Sequence, residues 1–480
     1  MPELNVDAET APKVTFKPKA TPTVPGALIV LGLVAGLAGF STGADPDLWG
    51  NVGFGLDVLR DRSLPTVDPY SFTSNLPWIN HEWLSEAIIA LVYQFGGTLG
   101  LALLKAALAT STFAVAWVAL SGVAMAPRAL SIVLMAWSGL PLTQTLRPQL
   151  WSWLLCAALL ALLPRQRARW VTPVLFACWA NLHGGWIVGF GLLGVWACAT
   201  RTKEALLLLS ASALATLATP YGIHSWAFLA RTVRLERADI SEWQPIWTAP
   251  PITWVPVAGA WLLLLWAVFK RRLSAVLLLG CVALGIAAIR VLRLEPFFVM
   301  AVAIWLPRRT WPQLSWPLVW VEAVAAVAVF AVALVFRGPQ LSCLAITGEW
   351  APDLTVDMRG SGTLLVPFDW GHYALWRWAP KLRVSIDGRR ETIYSDDVIN
   401  NQGALETNDP RGLAWLDAHR PDAVWYPRRA TMVREHLVDA GYRVLLETDR
   451  SYVLAAPASQ VTAGRRSPIT CFPGGERGQP

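Results

Sequence analysis

The run LGLALLKAALATSTFAVAWVALSGV, at positions 99–123, decides the fold class. Its one charged residue is Lys105, and the run is longer than the roughly 20 apolar residues that cross the core of a bilayer. The whole chain has the same bias, because 54% of its 480 residues are hydrophobic and 15% are charged, against roughly a quarter charged in a soluble domain. The sequence therefore predicts an integral membrane protein.

Ten further apolar segments flank this run. They lie at 25–43, 129–146, 149–164, 170–182, 186–200, 204–219, 252–269, 273–289, 294–306 and 314–336. The predicted fold class is mainly α, a polytopic transmembrane helical bundle of about 11 spans with a C-terminal extracytoplasmic α/β domain. The predicted domains are a disordered cytoplasmic tail at 1–24, the transmembrane domain at 25–336, the α/β domain at 337–457 and a disordered tail at 458–480.

Basic residues in every second loop predict the orientation of the bundle. With the N-terminus in the cytoplasm, the inside loops carry Arg128; Arg165, Arg167 and Arg169; Arg201 and Lys203; Lys270 to Arg272; and Arg308 and Arg309. An odd number of spans places the C-terminal domain outside. The segments 170–182 and 294–306 are short enough to be half helices that do not cross the membrane. If one of them does not cross, every later loop changes sides, whereas if neither crosses, the C-terminal domain stays outside.

The net charge of +7 does not indicate a nucleic-acid partner, because the basic clusters lie between apolar segments, where topology signals lie. Cys343 and Cys471 fall in the polar C-terminal part. The sequence leaves open whether they form a disulfide or remain free thiols. From about Gly362, β-rich runs such as TLLVPF and AVWYP alternate with helical ones such as ATMVREHLVDA. This alternation predicts the small α/β domain.

Two long loops, 44–97 and 220–251, would lie on the outer side. The first predicts a helix from about Asp47 to Arg60, a Pro-rich turn, and a helix from Trp83 to Phe95 along the membrane surface. Polar side chains at the outer ends of the spans are candidates for a site, because ionisable groups are costly at a membrane edge. The candidates are Asp45, Asp47, His81, Glu82, Arg147, Gln149, Asn181, His183, Glu242, Arg290 and Arg293.

Most of these candidates fall in a string of short motifs. The motifs are DPDLWGNVGFG (45–55), LPTVDPYSFT (64–73), WINHEWLSE (78–86), RPQLWSW (147–153), WANLHGG (179–185), TPYG (219–222), SEWQP (241–245), DWGHYALWR (369–377) and IDGR (386–389). Taken together, the string resembles bacterial polytopic membrane proteins of the C-type glycosyltransferase superfamily, which also holds oligosaccharyltransferases and protein mannosyltransferases. One position departs from the pattern, since Gly50 follows Trp49 where a second aromatic residue is expected.

The resemblance implies a multi-pass enzyme of the bacterial plasma membrane. Such an enzyme moves a sugar, with inversion, from a polyprenyl-phosphate or polyprenyl-diphosphate donor to an extracytoplasmic acceptor. Its catalytic carboxylate lies in the first outer loop, which here holds Asp45 and Asp47. The partners are then the lipid-linked donor, membrane lipid and an unassigned acceptor. A divalent cation is the one cofactor that the pattern leaves open, and no metal ligand is assigned.

The residue types suit this reaction on physical grounds. A lipid phosphate leaves readily, so one carboxylate base for the acceptor suffices, whereas glycoside hydrolysis generally needs two paired carboxyls. We expect Asp45 to be the base and Asp47 to be the near alternative, an orienting group or a metal-binding partner. Arginine presents a planar charged fork to phosphate oxygens, so Arg147, Arg290 and above all Arg293 are candidates for the leaving group.

The remaining candidates (His81, Glu82, His183 and Glu242) would orient the acceptor, the base or a cation. Simpler interpretations stand beside these. Asp47 can serve only as a helix N-cap, His183 can close a helix end, and Asp387 to Arg389 is typical of a turn between strands.

Two other functions also stay open. A transporter or flippase predicts charges deep in the spans, where Lys105 and Glu322 lie, and a non-catalytic anchor predicts that Asp45→Asn and Asp47→Asn are silent.

Overall fold

The computed structural model describes residues 43–166, 168–232, 237, 240–271, 273–310 and 342–478. The predicted tail 1–24, the segment 314–336 and all but the last residue of the segment 25–43 lie outside these residues, as do Arg167, Arg272 and Glu322. The described part of the chain is a helical region followed by a C-terminal region of mixed sheet and helices.

Each predicted apolar segment between residues 99 and 306 contains a helix. Together with the helix of the first outer loop and one in the second outer loop, the helices are α1 (Leu48–Asp61), α2 (Trp83–Ala119), α3 (Met125–Gln144), α4 (Gln149–Leu162), α5 (Thr172–Leu182), α6 (Trp186–Thr200), α7 (Lys203–Ala215), α8 (Ile223–Thr232), α9 (Trp254–Phe269), α10 (Ala275–Arg290) and α11 (Glu295–Thr310). Among the described residues, Trp83–Ala119 and Pro251–Phe269 are long and apolar enough to cross a membrane by length and composition.

The helix α2 joins two elements that the sequence predicts separately. Its backbone is non-helical at Gly97, where φ is 55° and ψ is −146°. A positive φ costs glycine little because it has no Cβ atom, so the chain bends there between the predicted surface helix at 83–95 and the apolar run at 99–123. The predicted helix from Asp47 to Arg60 is confirmed as α1.

The helical bundle has an apolar outer surface. Large hydrophobic side chains are exposed on α7, α9 and α10, including Leu207, Leu214, Leu262, Phe269 and Leu279. A continuous apolar exterior of this kind is typical of a surface that contacts lipid.

The C-terminal region contains a five-stranded mixed sheet of order β3-β2-β4-β6-β5 and a separate pair, β1 and β7. The elements are β1 (Val356–Arg359), β2 (Gly362–Leu365), α12 (Gly371–Trp378), β3 (Leu382–Val384), α13 (Asp396–Glu406), α14 (Leu413–His419), β4 (Ala423–Pro427), α15 (Thr431–Asp439), β5 (Arg443–Glu447), β6 (Ser451–Ala455) and β7 (Thr462–Arg465). Strand β2 runs parallel to both β3 and β4. Ligands of such sheets bind outside the carboxyl ends of parallel strands. The loops after β2 and β3 are therefore candidates for ligand binding.

The first outer loop is attached to this sheet. The backbone nitrogen of Phe72 donates to the carbonyl of Val384 at 3.1 Å, and the nitrogen of Val384 donates to the carbonyl of Tyr70 at 3.0 Å. The loop thus continues the sheet beyond β3. It brings the N-terminal acidic residues and the C-terminal region together across about 300 positions of sequence.

The segment 458–478 corrects the expectation of a disordered C-terminal tail. Strand β7 pairs antiparallel with β1, and Cys343 and Cys471 form a disulfide with their Cα atoms 5.0 Å apart. Phe472 is buried, and the carbonyl of Pro473 accepts a 2.8 Å hydrogen bond from the indole of Trp49. The segment is polar and rich in glycine, so its order comes from these long-range bonds rather than from its own composition.

Candidate active site

A cavity of about 670 Å³ opens between the outer loops and the C-terminal region. Most of the predicted site residues line it: Asp45, Asp47, His81, Glu82, Arg147, Gln149, Glu242 and Arg293. Its other wall comes from the loops after β2 and β3 and from α13. The structure therefore gathers side chains from separate helix ends into one cavity, as the sequence predicts.

Arg147 links two carboxylates in this cavity. Its Nε donates to Asp45 Oδ2 and its Nη1 donates to Glu242 Oε1. The turn before α4 holds the arginine, because the nitrogen of Leu150 donates to its carbonyl at 3.1 Å. Arg293 Nη1 lies 3.9 Å from the other oxygen of Glu242. The two guanidinium groups thus flank one carboxylate beside Asp45.

The two aspartates of the first outer loop lie in different environments. The side chain of Asp45 is 4% exposed, and burial raises its pKa although Arg147 opposes the change. The side chain of Asp47 is 41% exposed. Burial also acts to raise the pKa of Asp47, but the hydrogen bond and charge of His372, with smaller help from arginines, outweigh it and lower the pKa. Carboxyls whose pKa values are pushed apart suit different roles in one reaction.

Asp47 is not a helix cap. It precedes α1 at the N-cap position, but its side chain makes no capping hydrogen bond. Its backbone nitrogen donates instead to Asp45 Oδ1 at 3.0 Å. The Asp-Pro-Asp turn therefore holds the Asp45 carboxylate against the backbone of Asp47.

A second group of polar residues lies beside Arg293. Glu82 Oε1 is 3.5 Å from His81 Nε2 and 3.5 Å from His183 Nε2. Arg293 Nη2 lies 3.4 Å from the same nitrogen of His183. His183 also follows the last residue of α5, and its other ring nitrogen is 2.6 Å from the hydroxyl of Ser152. It both closes a helix and supports the cavity wall.

Three predicted site residues, Asn181, His183 and Arg290, do not line the cavity. Asn181 accepts a 2.8 Å hydrogen bond from the indole of Trp83 and donates to the carbonyls of Ala177 and Ala218, so it ties helices together. Arg290 ends α10 with an exposed side chain and does not line the cavity. Of the three candidate phosphate-binding arginines, only Arg147 and Arg293 reach the site.

The sequence-based site misses a buried charged network from the C-terminal region. His372, in α12, lies between two carboxylates, with Nδ1 3.3 Å from Asp47 Oδ1 and Nε2 3.4 Å from Asp387 Oδ1. Arg389 holds Asp387 through two hydrogen bonds of 2.9 and 2.6 Å and also binds Asp68 of the first outer loop. Asp387 to Arg389 does form a turn after β3, but the side chains of His372, Asp387 and Arg389 are all buried.

The comparisons with known proteins begin without a sequence match. No protein-family model matches the chain, and no curated protein matches it in sequence. Among solved structures, the archaeal oligosaccharyltransferase AglB from Archaeoglobus fulgidus, solved in complex with an inhibitory peptide and a dolichol-phosphate, is similar with a TM-score of 0.51. The likeness covers 92% of this chain and 74% of that one at 10% identity. This likeness shows that the chain shares the fold of that structure.

A second similar structure is the arabinofuranosyltransferase AftD from Mycobacteria. Its TM-score is 0.48 at 16% identity, and the likeness covers 91% of this chain and 40% of that one. The likeness to AglB supports the fold that the motifs imply, whereas the reaction of this chain is argued from the site.

Two glycines make room for His372 in the wall of the cavity. A Cβ atom on Gly50 would lie 2.7 Å from the imidazole ring, and one on Gly388 would lie 2.5 Å from the ring and 2.2 Å from Asp47. The departure of Gly50 from the expected motif thus has a physical reason, because the ring occupies the space of a side chain there.

We expect Gly50→Ala to displace His372 and to lower both thermal stability and turnover. Overpacking of a filled interior typically costs about 1–3 kcal/mol, which is measurable as a lower melting temperature of the full chain in detergent. The matched control is Gly53→Ala on the same helix, where a Cβ atom would meet neighbours only at 3.9 Å. Equal behaviour of the two variants would contradict the tight fit.

The charge of His372 predicts an alkaline limit to stability. Burial acts to lower its pKa, but Asp387 and Asp47 outweigh burial and raise it to about 9 from 6.5. Because the folded-state pKa is raised, the stabilisation is complete below about pH 6.5 and is lost as the pH rises through about 9. We expect the melting temperature of the wild type to fall over this range. His372→Gln should lose that part of the fall, and an identical pH profile would contradict the assignment.

The cavity carboxylates are already paired with cationic or imidazole partners. Asp45 contacts Arg147, Asp47 contacts His372, and Glu82 contacts His81. Among the described residues, no group of three or more His, Cys, Asp or Glu side chains has the arrangement of a metal site.

Proposed function

We propose that this chain is a membrane glycosyltransferase that moves a sugar from a polyprenyl-phosphate or polyprenyl-diphosphate donor to an extracytoplasmic acceptor, with inversion. The observation that carries the proposal is the cluster of Asp45, Arg147, Glu242 and Arg293 in one cavity. A carboxylate and two arginines lie side by side there, which supports a base beside a phosphate-binding pair, the arrangement that the transfer needs.

The reaction requires one bond to form and one to break. The acceptor hydroxyl oxygen attacks the anomeric carbon, and the bond from that carbon to the phosphate oxygen breaks with its electron pair. Asp45 takes the hydroxyl proton, and burial raises its pKa, which makes it a stronger base than an ordinary carboxylate. A single displacement of this kind inverts the anomeric configuration.

The leaving phosphate would meet Arg147 and Arg293. Both guanidinium groups line the cavity, and each is held near Glu242. Charge-assisted and bidentate bonds from arginine are the strongest that a phosphate oxygen receives in proteins. AglB, the similar structure, was solved with a dolichol-phosphate, which supports a lipid-linked donor for this chain too.

The proposed topology has about 11 spans, a cytoplasmic N-terminus and an extracytoplasmic C-terminal domain in the bacterial plasma membrane. The disulfide between Cys343 and Cys471 supports an extracytoplasmic C-terminal region, because disulfides persist in oxidising compartments. Lys105 is one of the charges that a transporter would use deep in its spans. It is buried and donates a 3.2 Å hydrogen bond to the carbonyl of Gln144. This contact supports a packing role for Lys105.

The test uses the full chain in nanodiscs with a panel of polyprenyl-phosphate and polyprenyl-diphosphate sugars. Without an acceptor, water replaces the hydroxyl, so we expect slow release of lipid phosphate above the protein-free background. Absence of release from every donor would overturn the proposal.

A further inference from the structure

The cavity continues past Asp47 into the C-terminal region, whereas Arg147 and Arg293 belong to the helical region. We call this part the acceptor end and define it by Phe368, Asp369, Gln402, Glu406 and Thr407, all of which line the cavity. Phe368 and Asp369 follow β2, and the other three lie on or directly after α13. The acceptor end thus belongs to the carboxyl side of a parallel strand, where α/β sheets bind ligands.

Buried amide groups in the cavity wall lack partners. Gln402 is 0% exposed, and its Oε1 accepts a 3.3 Å hydrogen bond from the hydroxyl of Tyr426. In the part of the chain that the structure describes, the Nε2 of Gln402, the Nδ2 of Asn51 and the Oε1 of Gln149 have no hydrogen-bond partner. Asn51 and Gln149 also line the cavity.

Such orphaned groups indicate a polar ligand. A buried donor or acceptor left unpaired costs about 1–3 kcal/mol, and native proteins pair nearly all of them with protein, water or a ligand. Two of the three orphaned groups are donors and one is an acceptor. A hydroxyl group can both accept and donate, so one hydroxyl-rich molecule can satisfy the whole set.

The carboxyl groups of Asp369 and Glu406 offset the positive charges of Arg390 and Arg429 near the acceptor end, so its charges do not select an anionic ligand. Asp369 and Glu406 are both carboxyl groups, and burial together with the negative charge of Asp47 raises the pKa of Asp369 to about 6. Arg390 also lines the cavity, with its guanidinium carbon 5.7 Å from the centre of the Phe368 ring. Carboxylates repel an anion and accept hydrogen bonds from hydroxyls, whereas the opposite end, at Arg147 and Arg293, suits phosphate.

We propose that the acceptor end binds an uncharged, hydroxyl-rich acceptor, that is a neutral saccharide, and that Gln402 and Asp369 bind its hydroxyl groups. The proposal rests on the proposed function, since it names the substrate class of the same cavity. A saccharide seated there would present a hydroxyl toward the aspartates of the first outer loop, with the donor phosphate on the far side.

The test measures direct binding of a panel of neutral trisaccharides of hexoses or pentoses to the full chain in nanodiscs, by saturation-transfer NMR and calorimetry. Trisaccharides of hexuronic acids and a Ser/Thr-containing peptide are the competing ligands. We expect a neutral trisaccharide to bind at least about tenfold more tightly than either competitor, since burying an unpaired like charge is costly.

Two variants locate the binding. Gln402→Leu and Asp369→Asn should each weaken the Kd for the neutral trisaccharide by about tenfold, the loss expected for one or two hydrogen bonds to a buried polar group. The matched control is Asn400→Leu, the same kind of change on an exposed position of α13, which should bind as the wild type does.

The outcomes separate this inference from the proposed function. Binding of no neutral trisaccharide, preference for the acidic sugar or the peptide, or unchanged affinity in both variants overturns the saccharide site. Acceptor-free release of lipid phosphate by the wild type is measured independently. Release without saccharide binding would defeat this inference alone, and saccharide binding that needs Gln402, without release from any donor, would defeat the transferase proposal alone.

Discussion

Asp45→Asn should slow the release of lipid phosphate from a polyprenyl-linked sugar by at least about 100-fold, within the range that a positioned general base contributes. The substitution keeps the shape of the side chain and an oxygen for the backbone nitrogen of Asp47. It removes the charge that Arg147 contacts and the atom that takes the proton. The measurement is single-turnover release of lipid phosphate by the full chain in nanodiscs.

Asp47→Asn and the double variant complete this experiment. Asp47 is the more exposed carboxylate and is held by His372, so its loss should also lower the rate. The matched control is Asp61→Asn, which changes an exposed carboxylate at the end of α1, the helix that follows Asp47. This variant should behave as the wild type does. Unchanged release in both single variants and in the double variant would remove the catalytic assignment and favour a non-catalytic anchor.

The pH dependence distinguishes the two aspartates. Because the pKa of Asp45 is raised from its usual 3.8, the rate should fall with decreasing pH through an acid limb above that value. This limb should vanish in Asp45→Asn and persist in Asp47→Asn, whose carboxyl has a lowered pKa. The reverse pattern would make Asp47 the base and Asp45 the orienting group.

The sequence predicts the helices well because their signal is local. An apolar run between basic or Pro-rich loops indicates a helix wherever its partners lie, and α3, α4 and α6 follow their predicted segments closely. The candidates at helix ends are predicted only in part, because ends on one side of a bundle can lie near one another without sharing a site. Asp45 and Arg147 come together, whereas Asn181 and Arg290 do not line the cavity.

The sequence does not predict the contacts that cross from the C-terminal region. Asp68 and Arg389 are 321 positions apart, and a local pattern around Asp387 indicates only a turn. The prediction of a disordered tail was wrong for a similar reason. The segment 458–478 is joined to the rest of the C-terminal region by a disulfide whose cysteines are 128 positions apart. The motifs DWGHYALWR and IDGR did carry the signal, because they contain His372, Asp387 and Arg389.

Arg389→Met should destabilise the chain strongly. Arg389 is 6% exposed at its side chain and binds two fully buried carboxylates, Asp387 and Asp68. Removing one partner of a buried ion pair typically costs about 3–5 kcal/mol, because the remaining charge stays buried and unpaired. For a domain of this size such a loss lowers the melting temperature on the order of 10 °C, measurable by intrinsic fluorescence of the full chain.

Two comparisons show whether the buried charge is the cause. Arg411→Met breaks an ion pair with Asp409 in which the arginine side chain is 84% exposed, and exposed pairs contribute about 0–1 kcal/mol. It should melt nearly as the wild type does. Adding Asp68→Asn and Asp387→Asn to Arg389→Met removes the stranded charges and should recover part of the lost stability. A variant Arg389→Met as stable as Arg411→Met would mean that the network does not join the first outer loop to the C-terminal region. The position of Asp47 beside His372 would then need another support.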